Sequence, residues 1–137
     1  MEAAHGYFEH DADIGIIGRG TTVEEAFVSA ARAMFAIQTD LDSLQSREGI
    51  ELDFEEDDVE LALVRWLNAL LAASRERGMV LHEFGLERED DRWRGWARGE
   101  RWRAGLARGT EVKGATLTML SVSQEAAGWE ARCVVDV

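Results

Sequence analysis

The 137-residue chain contains no proline, and only one cysteine, one lysine and one tyrosine. Without proline it cannot be collagen-like, a PxxP ligand or a proline-rich spacer. A single cysteine, Cys133, excludes a disulfide framework and any CxxC zinc module, and suits a reducing compartment. No apolar run approaches the roughly 18 residues of a membrane-crossing helix. The opening MEAAHGYFEH has neither the basic nor the apolar region of a secretion signal. A soluble, cytoplasmic protein without membrane contact is therefore expected. Positive charge is also scarce, with 15 Lys+Arg against 27 Asp+Glu and a net charge of -12. Binding to phosphate backbones is driven by Lys and Arg displacing counterions, so direct, stable nucleic-acid binding is disfavoured. The same field favours cations and basic protein partners.

What is present is enough for one real core: 46% of residues are hydrophobic and 31% charged. With no linker, repeat or low-complexity tract, residues 1–137 read as a single domain. Gly6–His10 and Ile14–Arg19 read as two short strands joined at Asp11-Ala12-Asp13. Thr22-Val23-Glu24-Glu25 is a capping box opening a helix over Val23–Ile37, whose apolar positions recur at spacings of three and four. Residues 38–49 read as a loop, and Ile50, Leu52 and Phe54 alternate with acids as a strand does. Asp57 or Asp58 opens a second helix, with Leu61, Val64, Leu67, Leu70 and Leu71 on one face beside Trp66. Arg75, Arg77 and Gly78 close it. Strands are expected at Met79–Phe84, Leu86–Arg88, Arg92–Trp102, Val112–Ser123 and Trp129–Val137. Two helices with about seven strands predict an α+β fold, the helices packed on a mostly antiparallel sheet or sandwich.

Four segments could carry chemistry. His10-Asp11-Ala12-Asp13 could ligate a divalent ion through carboxylate oxygens, although short acidic turns more often cap backbone. Cys133-Val134-Val135-Asp136-Val137 stays apolar to its last residue, and Asp136 followed by a terminal carboxylate concentrates negative oxygens. Such an end is either solvent-exposed or neutralised by a cation. Gly109-Thr110-Glu111-Val112-Lys113 carries the sole lysine, which could pair with Asp13 and Asp136, contact a phosphate, or simply lie on the surface. It lacks the glycine spacing of a P-loop. Finally, residues 87–108 hold seven Arg and five acids interleaved with Trp93, Trp96 and Trp102. This composition fits a base-stacking strip, but cross-strand pairing on a hairpin accounts for it more simply. Nucleophilic catalysis has little support: there is no GxSxG elbow, Cys133 sits in an apolar strand, and His82 reads as structural or surface.

Together these segments resemble the archease family over nearly the whole chain. The resemblance is carried by Tyr7-Phe8-Glu9-His10-Asp11-Ala12-Asp13-Ile14-Gly15, Glu24-Glu25-Ala26-Phe27, Ala33-Met34-Phe35 and Trp66-Leu67-Asn68-Ala69-Leu70-Leu71. It continues in Gly109-Thr110-Glu111-Val112-Lys113 and the closing Ala131–Val137. It implies an accessory protein of RtcB-type RNA ligases, which join RNA ends in tRNA splicing and repair, promoting ligase guanylylation and multiple turnover. It further implies a divalent metal, commonly calcium, held by Asp13, Asp136 and Val137, with Lys113 as an assisting functional residue beside it. There would be no complete active site in this chain alone. Two departures stand out: Asp11 replaces the Thr of the family's His-Thr-Ala-Asp, and Thr116-Leu117-Thr118 stands where Thr-Tyr-His is common. The competing readings are a stand-alone metal-dependent phosphohydrolase, which needs no partner, and a passive adaptor whose metal only staples the chain ends.

Overall fold

An antiparallel hairpin begins the fold. In the computed structural model, which describes residues 5–10 and 13–137, β1 (His5–His10) pairs along its full length with β2 (Asp13–Gly20). Thr22 then caps α1 (Val23–Ala36), its hydroxyl accepting the Glu25 N–H at 3.1 Å. The Glu25 carboxylate reaches back one residue further than in the usual box, accepting the N–H of Thr21 at 2.8 Å and its hydroxyl at 2.5 Å. Burial runs almost all round α1 because it is covered from two sides: it touches β2 and the strand Gly128–Asp136 of one sheet and the strand Met79–Glu89 of the other. Close approach explains Gly18 on β2, where a Cβ would lie 2.2 Å from the Ala26 carbonyl oxygen.

A connecting segment with one 3-10 turn (Leu41–Ser43) leads to β3 (Glu48–Glu55). Asp58 caps α2 (Val59–Arg77), its carboxylate accepting the N–H groups of Glu60 and Leu61. Gly78 ends that helix at φ 64, the left-handed conformation that glycine enters without a side-chain penalty. The buried stripe of α2 is Leu63, Trp66, Leu67, Leu70 and Leu71, whereas Leu61 is exposed and Val64 only half-buried. The expected face was therefore offset: Leu63 takes the place assigned to Leu61 and Val64. The Trp66 indole N–H donates to the Phe27 carbonyl at 3.0 Å and ties α2 to α1.

The second half is all strand and loop. β4 (Met79–Glu89) is one strand where two were expected, with a register irregularity between Leu81 and Glu83. It pairs with β5 (Arg92–Arg101), which also pairs with β3, giving the sheet β3-β5-β4. The expected strand Val112–Ser123 is interrupted. Only β6 (Gly114–Ala115) and β7 (Ser121–Glu125) form, because the Thr116 hydroxyl bonds both the Val134 carbonyl and the Thr118 N–H, and Met119 turns at φ 51. Both pieces lie along one edge of β8 (Gly128–Asp136), whose other edge holds β2. Among the described residues, eight strands in two antiparallel sheets and two helices make this a single α+β domain.

Candidate functional site

β2 and β8 bring distant parts of the sequence together. Their register runs from Gly20–Trp129 to Ile14–Val135. Carried one step further, it sets Asp13 opposite Asp136, and residues directly opposed across antiparallel strands share a face with Cα atoms about 4.5–5.5 Å apart. On the other edge of β8, Gly114 pairs with Asp136, and the Lys113 N–H donates to the Asp136 carbonyl at 2.8 Å. The backbone thus collects Asp13, Asp136, Val137 and Lys113 from three chain segments. Asp136 and Lys113 are exposed, while Asp13 and Val137 are half-buried. Asp11 and Ala12, with the side chain of His10, lie outside the described residues.

The donor chemistry fits a hard divalent cation. Like charges at directly opposed positions of a strand pair repel, and among the described residues neither Asp13 nor Asp136 nor Lys113 enters an ion pair. A cation between them removes that repulsion. No group of three or more His, Cys, Asp or Glu gathers among the described residues, so main-chain or water oxygens would complete the shell. Calcium accepts such ligands readily.

The loop from 102 to 113 delivers Lys113 to this place. Gly109 N–H donates to the Gln38 carbonyl at 2.8 Å and Thr110 N–H to that of Ile37 at 3.1 Å, using acceptors left free at the end of α1. The Gln38 side chain accepts the Val112 N–H at 3.1 Å, and the Thr39 hydroxyl donates to the Ala107 carbonyl at 2.7 Å. Leu106 and Val112 are buried and pin the same loop by apolar packing. The amides of Gly109 and Thr110 are consumed in these bonds, so this segment forms no phosphate cradle.

The arginine and tryptophan segment serves the fold. Trp93 is fully buried and stacks on Phe27 at 5.2 Å and Phe54 at 5.9 Å, with Arg88 over its ring at 4.7 Å. Trp102 is covered by Arg108 at 4.0 Å. Trp96 is exposed, but lies across the bare backbone of its cross-strand partner Gly85. Along the outer face, Arg92 and Arg94 stand opposite Glu55 and Asp53 on β3 and Glu89 and Glu87 on β4. These are cross-strand pairs, as expected, and no continuous stacking strip forms. Cys133 is buried, and desolvation pushes its thiol up to about 12, which leaves it unreactive.

One cluster went unread in the sequence. The Ser46 hydroxyl lies 2.8 Å from His82 Nε2 and also contacts the Glu83 carboxylate. Its residues sit 36 and 37 positions apart and carry no motif. The chemistry is that of a surface tie: one hydroxyl proton cannot serve both acceptors. Donation to Glu83 makes His82 Nε2 the donor, and the serine is then not activated.

With β2, β8 and the single lysine brought together on neighbouring segments, the comparison with known proteins is direct. The archease protein family model matches residues 5–137. The chain belongs to the archease family. The archease of Methanosarcina mazei is 34% identical over 144 residues, spanning 96% of this chain and 94% of the relative. That of Sulfolobus acidocaldarius is 33% identical over 134 residues, spanning 96% of each. The solution structure of protein 1598 from Methanobacterium thermoautotrophicum superposes with a TM-score of 0.85 at 28% identity, covering 98% of this chain and 99% of that one. The crystal structure of an archease from Thermotoga maritima, described as a possible chaperone, matches at a TM-score of 0.69 and 21% identity, covering 95% and 94%. That likeness is one of archease fold. No helix among the described residues is long and apolar enough to cross a membrane.

Proposed function

We propose that this archease activates an RtcB-type RNA ligase, promoting guanylylation of the ligase and its multiple turnover in tRNA splicing and RNA repair. The observation that supports the reading is the backbone juxtaposition of Asp13, Asp136 and Lys113, drawn from β2, β8 and the loop that leads into β6. Asp13, Asp136 and main-chain oxygens of Val137 would hold a divalent ion, with Ca2+ the best match to an all-oxygen shell. The bound ion would supply fixed positive charge close to a phosphate-handling site.

This chain's own residues account for the rest. Lys113 contributes an ammonium that can neutralise phosphate charge as it develops, an effect worth on the order of a few kcal/mol in comparable settings. The net charge of -12 keeps the protein off RNA while favouring a basic protein surface. The protein would act as a catalytic cofactor of the ligase in the cytoplasm.

The test mixes the ligase, GTP, RNA ends and a substoichiometric amount of this protein. Wild-type protein is expected to support many turnovers, and Asp13→Ala, Asp136→Ala and Lys113→Ala to reduce them at least about tenfold, the factor set by 1.4 kcal/mol. Full stimulation by all three variants would overturn the reading. Turnover of a phosphorylated small molecule without ligase would favour a hydrolase instead. A folded Asp13→Ala protein with lower thermal stability and intact stimulation would favour a structural staple.

A further inference from the structure

β6 is a two-residue strand at the end of the sheet path β1-β2-β8-β6, and among the described residues its outer edge has no neighbouring strand. Unpaired edge groups must find other partners or water. Here α2 supplies them from side chains. The Asn68 amide group donates to the Ala115 carbonyl at 3.1 Å, and its side-chain oxygen accepts the Ala115 N–H at 2.8 Å. One side chain therefore makes the pair of bonds that a strand residue would make. Seven positions later, two helical turns along the same face, Arg75 donates through Nη2 to the Val112 carbonyl and, at 2.6 Å, to that of Lys113. The segment is held on its inner edge by Lys113 N–H to Asp136 and Thr116 N–H to Val134 at 3.0 Å.

We infer that Asn68 and Arg75 are positioning residues, substituting for a missing strand and fixing the backbone that carries Lys113 against Asp136. This rests on the functional reading above and deepens it. A strand of two residues has little hold of its own, since fixing each residue costs backbone entropy that few bonds here offset. Released from α2, residues 113–115 would fray, and the ammonium would no longer be delivered to one place. A misplacement of about 1 Å can cost a catalytic group on the order of 100-fold.

The experiment compares Asn68→Ala, Arg75→Met and Lys113→Ala in two readouts, stimulated ligase turnover and amide hydrogen exchange. Positioning predicts that Asn68→Ala and Arg75→Met lower the maximal stimulated rate roughly 10-fold or more. The concentration for half-maximal stimulation should stay near wild type. The Lys113 and Thr116 amides should exchange at least about tenfold faster, with the β2–β8 amides unchanged. Arg75→Lys, which keeps a donor near the two carbonyls, should recover part of the rate. Unchanged Lys113 exchange would overturn the inference, as would a uniform rise across the sheet, which marks general destabilisation. Full stimulation by the α2 variants with an inactive Lys113→Ala would overturn it while leaving the functional reading intact. Full stimulation by Lys113→Ala would remove the reading itself.

Discussion

The two sheets use their charged and aromatic residues in opposite ways. In the sheet β3-β5-β4, side chains that look functional in isolation are spent on structure. Trp93 fills the core between Phe27 and Phe54, Trp96 covers Gly85, and Arg92 and Arg94 lie between rows of acids. At the edge where β2, β8 and β6 meet, Asp13, Asp136 and Lys113 are gathered by backbone pairing, and among the described residues none has an ion pair. Satisfied groups stabilise and go no further. Opposed like charges without internal partners are costly, and the proposed cation would offset that cost.

Replacing the buried Trp93 by Ala gives the sharpest test of the structural side. It should cost about 3–5 kcal/mol, read as a large fall in the denaturation midpoint. Trp96→Ala should cost about 1 kcal/mol or less, as a cross-strand contact. Equal losses would break the distinction between core and covering tryptophan. The helix caps come next: Thr22→Ala and Asp58→Ala should each cost about 1 kcal/mol and leave any cation affinity intact. Loss of affinity in either would show that the edge depends on the helices more broadly.

The mildest test uses acid. Glu100 on β5 is buried, accepting from Arg103 at 2.7 Å and from the Gln45 N–H at 2.7 Å, and these bonds hold its carboxyl below the ordinary 4.5. A lowered folded-state value means that the carboxylate stabilises the fold fully above 4.5, and that this is lost as pH falls through the lower value. The thermal midpoint of wild type should therefore drop over that acid window. Glu100→Gln should flatten the drop while lowering stability at neutral pH. An unchanged acid slope in the variant would assign the window to other carboxyls, such as Glu56, which Arg65 holds down.

Much of this was legible in the sequence. Periodicity, the Thr22 cap and a cap at Asp57 or Asp58 gave both helices to within a residue or two, and the acidic composition with a lone lysine marked one position out. The antiparallel α+β class followed from the strand spacing. What could not be read was long-range. A smooth apolar pattern over 112–123 does not reveal that Thr116 and Met119 bend the chain into β6 and β7, because that bend is fixed by bonds to Val134. Leu61 and Leu63 both fit a helical stripe, and only packing on α1 and the sheets chooses between them. The roles of Asn68 and Arg75 were hidden for the same reason, since their partners lie 47 and 37–38 positions away.

Calorimetric titration with Ca2+ tests the central claim most directly. The account predicts one cation per chain for the wild type, loss of binding in Asp13→Asn and in Asp136→Asn, and retained binding in Lys113→Met. Absence of binding by the wild type, or undiminished binding by both Asn variants, would contradict it.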